Sequence, residues 1–68
     1  METVEDVLYV IDVEPGLIRF EDGSGTCIVD VRVPQEISDL TRVGWEMYVE
    51  AALIEDAWQV SMIGTVYT

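Results

Sequence analysis

Residues 26–45 have the sequence TCIVDVRVPQEISDLTRVGW, and this stretch decides the predicted fold. Residues 26–33 alternate between an apolar set and a mixed set, a period of two that is typical of a half-buried strand. The apolar set is Cys27, Val29, Val31 and Val33. Pro34 ends the strand, because proline cannot donate a backbone hydrogen bond to a sheet. Apolar residues then recur at every third position, at Ile37, Leu40 and Val43, which predicts one or two helical turns that pack an apolar stripe against something larger.

Strands are also predicted on both sides of this stretch. Two runs rich in β-branched and aromatic residues precede it, joined by a Glu-Pro-Gly turn at 14–16 and followed by a loop signal, Asp-Gly-Ser-Gly, at 22–25. Two further alternating runs follow Gly44 and flank a short acidic turn. The predicted strands span residues 7–13, 17–21, 26–33, 45–54 and 57–67. We therefore expect one domain over residues 1–68, with residues 1–6 as a loose acidic N-terminus.

Alternation also assigns each strand side chain to the interior or to the surface. The aromatic residues that share a face with valine, methionine or isoleucine are predicted to lie in the core: Tyr9, Phe20, Trp45 and Trp58. Met62 is placed with them, and Cys27 is expected to be a buried, inert thiol because the chain has no histidine or lysine to activate it. A second apolar set is predicted to point outward: Leu8, Val10, Ile28, Tyr48, Ala52, Ile54, Ile63 and Tyr67.

The element order resembles that of the OB fold, a five-stranded Greek-key barrel, over nearly the whole chain from Val7. The resemblance is carried by the strand at 7–13, the Asp-Gly-Ser-Gly-Thr turn at 22–26, the crossover at 34–43, and Gly44-Trp45 at the start of the fourth strand. The turn is similar to that of small OB domains in replication proteins. The fold class is therefore predicted as all-β, a compact five-stranded OB-like Greek-key barrel with one short helix between strands 3 and 4. An SH3-like barrel is the alternative, although its short helical turn normally comes before the last strand.

The resemblance implies a binding face for single-stranded nucleic acid across strands 2 and 3. The positions that match this face are Arg19, Thr26, Ile28 and Arg32. The residues themselves favour a different interpretation, a surface ion pair, because Arg19 would lie diagonal to Asp30 on the next strand. Binding of a single strand through so few cations would be weak, aided by a partner chain, or adapted to high salt.

Charge narrows the classes of function further. The 68 residues include 14 acidic and 3 basic side chains, for a net charge of -11, and no histidine. This composition lacks the basic footprint of most nucleic-acid-binding proteins and the basic amphipathic helix of membrane binders, and it excludes the usual zinc sites. The carboxylates are widely spread along the chain. This spacing favours the acidic surface of proteins from salt-accumulating microbes over a DNA mimic, which would concentrate its carboxylates in one stripe.

A protein interface is the second candidate site. Four apolar or aromatic residues predicted on the outer faces of strands 4 and 5 would mark it if they lie together: Tyr48, Ile54, Ile63 and Tyr67. The alternative is that barrel curvature and the helix cover some of them.

The sequence favours a binding module over an enzyme. No serine has a recognisable base beside it, so we expect no catalytic residue, no cofactor and no metal. The leading hypothesis is an OB-type module of nucleic-acid transactions that contacts single strands weakly or serves a larger replication or repair partner. The alternative is an acidic protein-interaction module or a DNA-mimic inhibitor of viral or phage type, and self-association stays open in either case. The acidic start, the single cysteine and the lack of a long apolar run predict a cytoplasmic protein without a membrane partner.

Overall fold

The computed structural model describes residues 2–25 and 28–66, and most of them lie in strands. The elements in chain order are β1 (Thr3–Glu14), β2 (Leu17–Glu21), β3 (Ile28–Arg32), α1 (Gln35–Leu40), β4 (Glu46–Ile54) and β5 (Ala57–Thr65). The strands close into a barrel in the order β1-β2-β3-β5-β4, in which β3 and β5 run parallel and the other neighbours run antiparallel. The position of α1 between β3 and β4 confirms the predicted all-β, OB-like barrel. The SH3-like alternative would place its helical turn before the last strand.

Strand β1 belongs to both halves of the barrel. Residues 3–9 pair with β4, and residues 9–14 pair with β2. The prediction of a loose N-terminus over residues 1–6 is therefore wrong for residues 3–6, which lie in a regular antiparallel ladder. Val4 packs against the core, while the acidic side chains of this segment stay exposed, so strand pairing here buries no charge.

The core is a cluster of apolar side chains from the inward faces of the strands. The buried members are Leu8, Val10, Ile18, Phe20, Val29, Val31, Val33, Met47, Val49 and Ala51. Burying one large apolar side chain contributes about 1.5–3 kcal/mol, so this cluster is the main favourable term in folding. The predicted inward positions are confirmed for Phe20 of β2, for Val29 and Val31 of β3 with the following Val33, and for Met47, Val49 and Ala51 of β4. Strand β5 contributes partly buried residues, among them Trp58 and Val60.

The inward face of β1 is the opposite of the predicted one. Leu8 is 3% exposed and Val10 is 1% exposed, whereas Tyr9, which was expected in the core, is 40% exposed. Both alternating sets of this strand are apolar, so its pattern does not distinguish the two faces. The register also shifts after Val10, where Ile11 is an extra residue opposite β2, and this bulge reverses the alternation further along the strand.

A second bulge changes the faces of β5. Val60 pairs with Ala51 and Met62 pairs with Glu50, which leaves Ser61 as the extra residue. Beyond it the alternation is reversed. Met62, predicted to be inward, is exposed, and Ile63, predicted to be outward, packs against the core.

Helix α1 closes one end of the barrel and is tied to the β1–β2 turn by a buried serine. The Ser38 hydroxyl donates to the Gln35 carbonyl at 2.7 Å and accepts the Gly16 N–H at 2.9 Å. Ile37 packs against the core as the predicted apolar stripe requires, but Leu40 and Val43 do not. The helix ends at Leu40, so Val43 lies outside it, and neither side chain is turned toward the barrel.

The loop after α1 contains another correction. Trp45 precedes β4 and is exposed, although its alternation with the β4 residues predicted a core position. Its carbonyl accepts the Val10 N–H at 2.9 Å, and the Gly44 N–H donates to the Val10 carbonyl at 2.9 Å. The backbone of this loop therefore continues the β1–β4 ladder, while the indole stays at the surface.

Candidate functional site

The outer face of β2 and β3 carries most of the predicted nucleic-acid contacts. Cross-strand pairing places Leu17 opposite Arg32, Arg19 opposite Asp30, and Glu21 opposite Ile28. These residues alternate with the buried residues of both strands, so all of them face outward. The structure thus brings Arg19, Ile28 and Arg32 onto one face, as predicted. Thr26 and Cys27 lie outside the described residues.

An ion pair occupies the centre of this face. The Arg19 guanidinium binds the Asp30 carboxylate through two hydrogen bonds, from Nε to Oδ1 at 2.7 Å and from Nη2 to Oδ2 at 3.2 Å. The two residues lie directly opposite each other rather than diagonally, because Phe20 pairs with Val29. The expected ion pair is confirmed with this change of register.

The charges around Arg19 oppose phosphate binding. The hydrogen bond from Arg19 lowers the pKa of Asp30 below its ordinary value. In turn, the hydrogen bond and the charge of Asp30 raise the pKa of Arg19, and the nearby charges of Asp12 and Glu14 raise it further. Three carboxylates therefore compensate one guanidinium, and a phosphate approaching Arg19 would meet a net negative field.

A groove runs beside the ion pair, between β3 and the β4–β5 turn. It has a volume of about 420 Å³, and its lining includes Leu17, Ile28, Arg32, Asp56 and Trp58. Arg32 forms no ion pair within residues 2–25 and 28–66, and the half-buried Trp58 lies along the same groove. Trp58 pairs with the buried Val31, and Arg32 pairs with Gln59, so the indole and the guanidinium leave opposite faces of the sheet although both residues line the groove. Asp30 and Asp56 also line the groove and reduce its affinity for phosphate.

The turn that borders this groove has an unusual backbone. Glu55 and Asp56 have φ angles of 51° and 66°, and Ile54 pairs with Ala57 across them. Two positive φ angles in a two-residue hairpin turn are typical of a type I′ turn. The acidic turn predicted from the sequence is thus confirmed, and it places an aspartate at the edge of the groove.

The three described residues of the predicted interface on β4 and β5 do not form one surface. Tyr48 faces outward and is half-buried, and its hydroxyl donates to Glu50 Oε1 at 2.9 Å. Ile54 is exposed at the far end of β4, and Ile63 packs against the core. Tyr67 lies outside the described residues.

A different apolar surface forms where α1 meets the start of β4. We define the helix-end patch as Leu40, Val43 and Trp45. Leu40 is 69% exposed and Val43 is 62% exposed, the highest values among the large hydrophobic side chains of the described chain. Leu40 and Trp45 also border a shallow cavity of about 130 Å³ whose floor includes the inward-packed Ile63. An exposed apolar group of this kind is typical of an interaction surface.

The loop that carries the helix-end patch is held by Arg42. Its Nη1 donates to the carbonyls of Asp39 and Thr41, both at 3.0 Å. The Thr41 hydroxyl, which is buried, donates to the Ile37 carbonyl at 2.7 Å. The patch is therefore displayed on the last residue of α1 and on the hydrogen-bonded loop that follows it. The sequence showed apolar residues at every third position here. The same spacing occurs in an apolar stripe that packs on the barrel and in an apolar stripe that stays exposed to solvent, so it could not identify the patch.

Carboxylates face each other across β1 and β4. Glu5 lies opposite Glu50, and both the hydrogen bond to Glu50 and its charge raise the pKa of Glu5. The hydrogen bonds of Tyr48 to Glu50 and of Tyr9 to Glu46 raise the pKa of both phenols. Within the described ranges, no group of three or more His, Cys, Asp or Glu side chains is arranged to hold a metal ion.

No family model, curated protein or solved structure matches the chain at a significant level. In the described part of the chain, no helix is long and apolar enough to span a membrane. The features that bear on function are therefore a small OB-like barrel, an acidic groove beside β3, and the helix-end patch.

Proposed function

We propose that this chain is a non-catalytic OB-like binding module whose main partner is a protein with a positively charged surface. The helix-end patch is the contact surface. The observation that carries the proposal is the exposure of Leu40, at the end of α1, and of Val43, on the hydrogen-bonded loop that leads to Trp45. Aromatic and aliphatic anchors at the centre of an interface supply most of the binding energy in protein complexes.

Charge supports a basic partner over a second copy of the chain. The chain carries a net charge of -11, Glu36 and Asp39 lie on α1 with Leu40, and Glu46 follows Trp45 as the first residue of β4. Arg42, the cation nearest in sequence, is directed to backbone carbonyls. Two copies would repel each other, whereas a basic surface would be attracted and its association accelerated.

The resemblance to OB domains of replication proteins supports a partner from nucleic-acid metabolism. That support is an analogy between folds and carries no residue-level argument. A DNA-mimic role has less support, because carboxylates lie on β1, β2, β3, α1, β4 and the β4–β5 turn instead of on one stripe.

Weak contact with single-stranded nucleic acid is the second candidate function. It is favoured by Arg32, which forms no ion pair within the described residues and lines the groove next to β3 together with Trp58. Base stacking on an indole tolerates any sequence and survives high salt, so this mode is compatible with an acidic protein. Because Asp30 neutralises the charge of Arg19, nucleic-acid binding is the weaker of the two candidate functions.

The test compares two surfaces of the same protein. The immobilised chain is used to isolate a partner, and the purified partner is then titrated against the wild type, Leu40→Ser/Val43→Ser, and the control Ile54→Ser, which alters an exposed isoleucine elsewhere. Loss of two anchors should weaken binding by about 100-fold, whereas the control should change it by less than about threefold. Equal affinity of the double variant and the wild type would refute the assigned surface.

A second titration tests the other candidate function, contact with single-stranded nucleic acid. Fluorescence anisotropy of a labelled oligo-dT is measured at low and near-molar KCl with the wild type and Arg32→Ala. Saturable binding of the oligo-dT by the wild type, lost in Arg32→Ala, would indicate that the groove beside β3 is the functional site. Absence of binding by folded protein at both salt concentrations would remove direct strand recognition.

A further inference from the structure

In the described part of the chain, the first half of β1 has one edge without a strand partner. Residues 3–9 pair with β4 on one side, but pairing with β2 on the other side begins only at Tyr9. The outward-facing residues of this half are exposed to solvent. Within residues 2–25 and 28–66, no strand covers this edge. An uncovered edge can bind an additional strand through main-chain hydrogen bonds.

The backbone groups that reach the open edge can be identified. In an antiparallel ladder the N–H and C=O of one residue point to the same neighbour, and successive residues alternate. Both groups of Val10 bind the loop that continues β4, through the Trp45 carbonyl and the Gly44 N–H. Counting back along the strand by this alternation identifies the residues directed to the open edge. They are Thr3, Glu5 and Val7.

A side-chain contact independently supports this assignment. Asp6 Oδ1 accepts the Val7 N–H at 2.7 Å, so the neighbouring carboxylate occupies a donor that the sheet leaves unpaired. A short contact between adjacent residues of this kind protects an open edge and can exchange for a strand.

An apolar slot lies on the inner side of the open edge. Its volume is about 330 Å³, and it is lined by Thr3, Val4 and Leu8 of β1, Ile28 and Val29 of β3, and Trp58 of β5. Side chains of an added strand alternate between the two faces. Those on the inner face would enter this slot, and they would fit it best if they were aliphatic.

The outer face of the open edge is acidic. Glu5 lies opposite Glu50, and the charge of Glu50 raises the pKa of Glu5, so the repulsion between the two ionised carboxylates is unfavourable. An added strand that places a lysine or arginine beside Glu5 would neutralise this pair. A second copy of β1 would instead add more carboxylates, so a basic segment is the matching occupant.

We propose that the open edge of β1 and the adjoining slot form a strand-addition site. Its ligand is an extended peptide in which lysine or arginine alternates with aliphatic residues. The site is separate from the helix-end patch, since Thr3 pairs with Ala52 late in β4, whereas the patch adjoins the start of β4. The proposal therefore stands without the function proposed above.

The test uses a synthetic peptide of alternating lysine and valine, as long as residues 3–9, titrated into ¹⁵N-labelled protein. The alternating peptide should bind at least about tenfold more tightly than a peptide of the same composition with lysines and valines in separate blocks. Equal binding of both peptides would show charge attraction alone and would overturn the proposal.

Two N-methylated peptides test the main-chain hydrogen bonds. One carries N-methyl groups on the lysines, and the other carries them on the valines. Because only one alternate set of N–H groups faces β1, one of the two peptides should lose binding and the other should retain it. Retention by both, or loss by both, would contradict strand addition.

Protein variants locate the site. Glu5→Gln should weaken the alternating peptide severalfold, whereas Glu36→Gln, which removes an equally exposed carboxylate from α1, should have no effect. Equal effects of the two variants would refute the location. Leu40→Ser/Val43→Ser should leave peptide binding unchanged, so failure of the strand site and failure of the helix-end patch are distinguishable.

Discussion

Two valines on β1 provide a direct test of which face of that strand carries the core. Val10 is 1% exposed and Val7 is 38% exposed, and both can be replaced by alanine with the same change in chemistry. Val10→Ala removes two fully buried methyl groups, which costs about 1.6 kcal/mol in transfer free energy. The cavity left by incomplete relaxation adds roughly 1 kcal/mol, so the free energy of unfolding should fall by about 2–3 kcal/mol. Val7→Ala removes methyl groups that already contact water and should cost less than about 1 kcal/mol.

Urea unfolding, followed by circular dichroism at near-molar KCl, measures both variants against the wild type. With a slope of about 1 kcal/mol per molar urea for a small domain, the midpoint should fall by roughly 2–3 M for Val10→Ala and by less than about 1 M for Val7→Ala. An unfolded Val10→Ala beside a folded Val7→Ala would lead to the same conclusion. A larger loss in Val7→Ala would place the core on the other face of β1 and refute the assignment.

Three further predictions concern the hairpin loop, the net charge and the β1–β4 carboxylates. Gly23→Ala should lower the melting temperature by roughly 5 °C or more, because φ is 90° and the new Cβ would lie 2.9 Å from the Tyr9 ring. Thermal melts should show a smaller loss for Gly25→Ala, whose new Cβ would meet none of the described residues within 4 Å. Raising KCl toward molar should raise the melting temperature by screening the net charge of -11, and an unchanged value would exclude repulsion as a major term. Glu50 raises the pKa of Glu5, so the Glu5 carboxyl holds its proton more tightly in the folded chain than in the unfolded chain. The free energy of unfolding should therefore increase as the pH falls from neutral through that raised pKa toward the ordinary value of 4.5. Melts across this range should show Glu5→Gln to be more stable than the wild type at neutral pH and less dependent on pH; a wild-type pH dependence in Glu5→Gln would argue against the carboxylate pair.

The fold could be predicted because most strands have one apolar face and clear ends. Val29, Val31 and Val33 alternate with polar residues, and Pro34 marks the end of that strand, so the third strand and the helix after it follow from the sequence. The pairing of Arg19 with Asp30 also followed from alternation, with a change in register. These signals are local, because each of them lies within one strand or one hairpin.

The errors occurred where the decisive signal is not local. Both faces of β1 are apolar, and the bulges at Ile11 and Ser61 reverse the alternation without a distinctive residue at either position. The exposure of Leu40 and Val43 depends on where α1 ends relative to the barrel, which their spacing does not encode. The candidate binding surface therefore required the tertiary structure, whereas the barrel did not.

The shortest ladder of the barrel has a consequence for its folding kinetics. In the described part of the chain, β3 and β5 are joined by two residue pairs, Val31 with Trp58 and Arg32 with Gln59. Breaking these pairs converts the closed barrel into a continuous antiparallel sheet in the order β3-β2-β1-β4-β5 and leaves every hairpin intact. The β3–β5 ladder has two described pairs where the β1–β4 ladder has seven, so we expect the barrel to open first at the β3–β5 junction during unfolding. The indole of Trp58 lies at that junction, so its fluorescence in a Trp45→Phe variant, which removes the chain's other tryptophan, should report opening of the junction separately from loss of the sheet.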